Sequence, residues 1–121
     1  MSDNHFARDV IDRMLDSETE RHIAEQKAAL AAHPDWAEGH LHLGLLYRIH
    51  RTLRDAAKRE LLRALELKPG LAEAHIAIGE IYLAEGDFAR AREHAGFAAQ
   101  FGNPRLLQQI ERHAPPQEPH T

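Results

Sequence analysis

Apolar residues recur along this chain every three or four positions, the spacing of helical faces. No stretch alternates polar and apolar with β-branched enrichment, and valine occurs once. Phe6, Val10 and Met14, flanked by Ala7, Ile11 and Leu15, predict a first helix over about 3–15. Ser17 followed by Glu20 has the form of a capping box and predicts a second helix to about Ala32, stopped by Pro34. Asp35 with Glu38 repeats the signal and opens a third helix to about His50. A fourth is expected from Leu53 to Leu67, before Pro69-Gly70, and a fifth from Leu71 to Ala84. Gly86 closes the fifth, and Asp87 caps a sixth over Phe88 to Phe101. Asn103-Pro104 reads as an N-cap followed by a first-turn proline, opening a last helix to about His113. The tail "APPQEPHT" is expected to be disordered.

Seven helices joined by short turns are antiparallel hairpins, and these hairpins repeat. "AEGHLHLGLLY" (Ala37–Tyr47) and "AEAHIAIGEIY" (Ala72–Tyr82) are two copies of one phrase, 35 residues apart. Pro34 and Pro69 share that separation, whereas Ala57/Ala91 and Ala64/Ala98 lie 34 apart. A period in this range predicts an all-α fold, an α-solenoid of stacked helix hairpins.

Within each phrase, His40, Leu43, Gly44 and Tyr47, and again His75, Ile78, Gly79 and Tyr82, fall at i, i+3, i+4 and i+7 on one stripe. The second helices add small residues, Ala57, Ala64 and Pro69, then Ala91 and Ala98. This pattern resembles the tetratricopeptide repeat family, whose signature is Trp-x2-Leu-Gly-x2-Tyr, then small residues, then proline. The resemblance covers about Asp35 to Pro104. It departs where His stands for Trp in both copies, in one extra residue near Arg51 to Arg54, and where proline comes one place late at Pro104. The organisation implied is a degenerate N-terminal helix pair over 1–34 and repeats over 35–70 and 71–104. A capping helix over 105–113 and the tail 114–121 complete it. Gly44 and Gly79 are expected to let a partner helix approach closely, offsetting about 1 kcal/mol of lost helix propensity each. His40 and His75 are read as packing residues.

Composition narrows the function. Apolar residues make up 43% of the chain, which argues against global disorder, and the absence of cysteine excludes disulfides and thiolate chemistry. The net charge of −4 argues against a nucleic-acid binder. With no basic segment followed by an apolar run at the start, and no run long enough to span a bilayer, a cytoplasmic location without membrane attachment is expected. Arg51, Arg54 and Lys58 belong to a local basic run that would suit an acidic partner. Of ten histidines, no two are three or four apart, so none pair as ligands on one helical turn. No phosphate loop, nucleophile motif or paired-acid motif occurs, so neither catalysis nor a cofactor is expected.

A second apolar stripe, Leu41, Leu45 and Ile49 with Arg48 alongside, is matched on the fifth helix by Ile76, Glu80 and Leu83. In the family resembled, this stripe lines a concave groove. The function expected is a non-enzymatic interaction module, an adaptor or assembly factor, holding an apolar helical or extended protein segment there. Two alternatives are a histidine-dependent metal or haem binding protein and a subunit that self-assembles as a homo-oligomer. A further option is that the chain's own first or last helix fills the groove.

Overall fold

A computed structural model describes residues 3–49 and 51–113, with side chains described for 17–49 and 52–113. The described residues form six helices and no strand: α1 (Asp3–Ala32), α2 (Ala37–Arg48), α3 (Arg54–Leu67), α4 (Ala72–Ala84), α5 (Phe88–Gln100) and α6 (Arg105–His113). A 3-10 turn, Arg51–Leu53, precedes α3. The helices form an α-solenoid: α2 pairs with α3, α4 pairs with α5, and α6 closes on α5 and α4.

The expected N-terminal helix pair is replaced by a single helix of 30 residues. Residues 3–32 contain neither Gly nor Pro, so no residue imposes the cost that breaks a helix. The Ser17/Glu20 pattern consequently falls mid-helix, with both residues exposed. The side chains of the Phe6–Met14 stripe and the tail 114–121 lie outside the described residues.

The Asp35/Glu38 box does not form either. Trp36 is the N-cap of α2, and no side chain bonds to its first turn. The backbone makes this turn instead. Trp36 N–H donates to the His33 carbonyl at 3.2 Å, and the N–H groups of Gly39 and His40 donate to the Trp36 carbonyl at 3.1 and 3.2 Å. The same bonds recur 35 residues on. Leu71 N–H reaches the Lys68 carbonyl at 3.3 Å, and Ala74 and His75 reach the Leu71 carbonyl at 3.1 and 3.3 Å.

Glycine explains the departures in repeat length. Gly86 adopts φ +81°, a conformation that glycine enters without steric cost. This lets Asp87 N–H reach the Tyr82 carbonyl at 2.9 Å. Asp87 then caps α5, its Oδ1 accepting from Arg90 N–H at 3.1 Å. The first hairpin has no such glycine, and the 3-10 turn spans the gap with one more residue. After α5, Gly102 at φ +104° lets Asn103 N–H bond the Ala98 carbonyl at 2.8 Å. That extra turn residue is why Pro104 comes late.

Two clusters form the core. Leu41, Ala57, Leu61, Ala77, Ile78 and Ile81 meet between α2, α3 and α4. Ile76, Ala91, Ala95, Ala98, Leu106 and Ile110 meet between α4, α5 and α6. Alanine on α3 and α5 lets the helices approach, and the glycines let them touch. A Cβ on Gly44 would stand 2.7 Å from Leu61 Cγ, and one on Gly79 would stand 2.6 Å from Leu106 Cδ2.

Candidate interaction site

The histidines at the tryptophan position turn out to be staples. His40 Nε2 donates to the Pro34 carbonyl at 2.8 Å, and His75 Nε2 donates to the Pro69 carbonyl at 3.1 Å. Each ring ties its helix to the proline turn before it. The second nitrogen binds the following helix. His40 Nδ1 meets Glu60 Oε1 at 2.7 Å, and His75 Nδ1 meets His94 Nδ1 at 3.2 Å. With Nε2 of His75 donating to Pro69, its Nδ1 accepts from His94 Nδ1–H. Sequence spacing missed this pair, because residues 19 apart meet only through the hairpin. Phe101 stacks on His75 at 5.8 Å, and Tyr82 stacks on His94 at 5.8 Å. Burial, and secondarily the neighbouring His75, push the His94 imidazole below the usual histidine range. Among the described residues no group of three or more His, Asp or Glu gathers to hold a metal ion.

The stripe expected to line a groove divides. Leu41 and Ile76 are buried core residues, 3% and 4% exposed, so neither is open to a partner. Leu41 is buried where α2 meets α3 and α4, and Ile76 where α4 meets α5 and α6. Leu83 packs against the C-terminal core cluster. Arg48 and Glu80 pair with each other, Nη1 to Oε1, at 2.7 Å across α2 and α4. Leu45 and Ile49 remain accessible, with Ile49 66% exposed. The basic run is partly engaged as well. Lys58 bonds Glu85 at 3.1 Å, lies 3.7 Å from Asp55, and stands 5.4 Å from the centre of the Tyr82 ring. The Glu85 carboxylate in particular holds its ammonium pKa above the usual lysine value. Arg54 is half-buried, and the side chain of Arg51 lies outside the described residues.

Leu45 and Ile49 join Leu46, His42, His22, Glu25 and Gln26 around a depression of about 410 Å³ between α1 and α2. The repeat explains why it is there. Four of its seven lining residues are the 35-residue counterparts of core positions: His22 corresponds to Ala57, Gln26 to Leu61, His42 to Ala77 and Leu46 to Ile81. Those four counterparts are 0–3% exposed, because α2 and α3 together cover α4. On α2, α1 plays the part of α3, and among the described residues no helix plays the part of α2. His22 and His42 are therefore exposed, and Gln26 and Leu46 are half-buried. A helix-shaped slot is left open, with an aliphatic floor and hydrogen-bonding walls. Its signal in the sequence was Gln26 and His42 at positions that one period later are Leu61 and Ala77.

No family model matches the sequence, and no curated protein matches it. Among solved structures the chain is similar to MamA, a tetratricopeptide-repeat-containing protein, with a TM-score of 0.65 at 21% identity. The match covers 83% of this chain and 55% of that one, so the chain spans about half the length of MamA. No helix among the described residues is long and apolar enough to cross a membrane. The chain thus has a tetratricopeptide-like α-solenoid fold.

Proposed function

We propose that this protein is a non-enzymatic interaction module, a cytoplasmic adaptor or assembly factor whose α1–α2 slot receives an amphipathic helix from a protein partner. One observation carries the reading: four of the slot's seven lining positions, His22, Gln26, His42 and Leu46, are ones that the same repeat buries one period later. A helix entering it would cover Leu46 much as α2 and α3 cover Ile81, would lie against Leu45 and Ile49 at the rim, and could bond His22, Gln26 and His42. Ile49 tests this, because it is exposed and a charge there leaves the free protein undisturbed. On docking, that charge would be buried unpaired, at a cost of several kcal/mol. Ile49→Glu is expected to melt with the wild type and to lose its partners in a pull-down from the native host. A folded variant that keeps every partner would refute the proposal. Metal or haem capture has less support, since His75 and His94 meet as a pair bonded to each other.

A further inference from the structure

We propose that the helix which occupies the slot is residues 3–16 of a second copy of this chain, so that two molecules exchange their N-terminal segments. This rests on the reading of the slot as an interaction site and names the partner.

The geometry of α1 comes first. It has 30 residues and α2 has 12, so the two are about 45 and 18 Å long. Joined by the short turn at 33–36, they run antiparallel, and α2 ends level with roughly the middle of α1. The first half of α1 therefore projects beyond the hairpin as continuous helix. To enter its own slot, the segment would have to reverse near Ser17. Residues 3–32 offer no Gly or Pro for that reversal, and it would sacrifice a turn of helix.

Register opposes the fold-back too. One period before Gly44 stands Asp9. At Gly44 even a methyl group would stand 2.7 Å from Leu61 Cγ. An in-register hairpin would force the larger Asp9 side chain into that approach. A segment arriving from another molecule is free of this register.

The chemistry of the segment suits the slot. Sequence spacing puts Phe6, Val10 and Met14 on one line of the helix, with Ile11 and Leu15 beside it. This is the stripe needed to cover Leu45, Leu46 and Ile49. Asp9, Asp12 and Asp16 form a second line at i, i+3 and i+7. The slot supplies hydrogen-bond donors from His22, Gln26 and His42. Arg8 and Arg13 provide charges opposite to Glu25. The segment is 14 residues long, close to the 12 of α2, the helix whose place it takes.

The test uses the full chain in three forms: wild type, Val10→Glu with a spoiled segment, and Ile49→Glu with a spoiled slot. Light scattering coupled to size exclusion, across a concentration series, should show the wild type approaching twice the monomer mass. Each variant alone should remain a folded monomer by circular dichroism. An equimolar mixture should recover dimer, because one good segment then meets one good slot. A labelled synthetic peptide of residues 3–16 should bind Val10→Glu, whose slot is empty, at least tenfold more tightly than Ile49→Glu. A wild type that stays monomeric overturns the proposal, as does a mixture that yields no dimer or a peptide that ignores Ile49→Glu. If the proposal fails while Ile49→Glu still loses its partners, the slot binds a different protein. If Ile49→Glu keeps them all, the interaction reading fails as well.

Discussion

Three helical glycines separate packing from propensity within one protein. Gly96 sits inside α5, and a Cβ there would meet nothing within 4 Å. Gly96→Ala should therefore raise stability by about 1 kcal/mol, the helix propensity difference between the two residues. Gly44→Ala gains the same propensity but puts a methyl 2.7 and 2.8 Å from Cγ and Cδ2 of Leu61, and 3.3 Å from the Ala57 carbonyl. Leu61 is fully buried, and its Cγ cannot retreat without moving α3. Overpacking of this kind costs about 1–3 kcal/mol. Net of propensity, Gly44→Ala should be destabilised by up to about 2 kcal/mol, and the gap from Gly96→Ala should equal the overpacking itself. Gly79→Ala should fall between them, since its methyl meets the tip of Leu106 on the terminal helix α6. Urea unfolding followed by circular dichroism gives the three values at a common slope. In melting temperature, 1 kcal/mol is about 4 °C for a domain of this size. If Gly44→Ala is as stable as Gly96→Ala, close approach is not the reason for the glycine.

His94 should make the protein acid-sensitive. Its pKa is lowered on folding, by burial and then by His75, so protonation favours the unfolded chain. Stability is then complete above about pH 6.5, the unfolded histidine value, and is lost as pH falls from there through the folded pKa. The melting temperature should fall less between pH 7.5 and 5.5 in His94→Gln than in the wild type, and equal slopes would exclude His94 as the cause. Lys58→Ala should cost about 1 kcal/mol or less, as partly exposed pairs do. In that background Glu85→Ala should add almost nothing, a coupling that a double-mutant cycle by urea unfolding would measure.

The hairpins were legible because each is announced by a residue with a definite backbone consequence. Pro34 and Pro69 stop helices, Gly86 and Asp87 make a turn and a cap, and the two glycine-centred phrases fix the period. The continuity of α1 was not legible. Ser17-x-x-Glu20 has the same letters inside a helix as at its start, and a capping box has force only where something ends the preceding helix. The candidate site was half legible. Leu45 and Ile49 were found by their spacing, but the same spacing included Leu41, which the core claims. Spacing identifies a face without saying which helix covers it. The information lay instead in comparing repeats, where Gln26 and His42 stand at positions later given to Leu61 and Ala77. The His75–His94 pair had no local signal at all, because hairpin closure brings it together.

The two ends of the described solenoid are unlike. At α6, Leu106 and Ile110 turn inward and are buried, whereas Gln108, Gln109, Glu111 and Arg112 face water. Among the described residues α6 turns a polar face outward, whereas the α1–α2 end leaves four core-equivalent positions uncovered. Stacked hairpins of this kind are in principle the unit of a fibre, each molecule's last helix serving as the next one's first. With a polar helix face at one end, head-to-tail growth would lack a matching surface for its second step. In the proposed exchange, molecules would meet open end to open end, and such a meeting would consume both. On that proposal the polar face of α6 would act as a chain terminator, confining association to a closed pair.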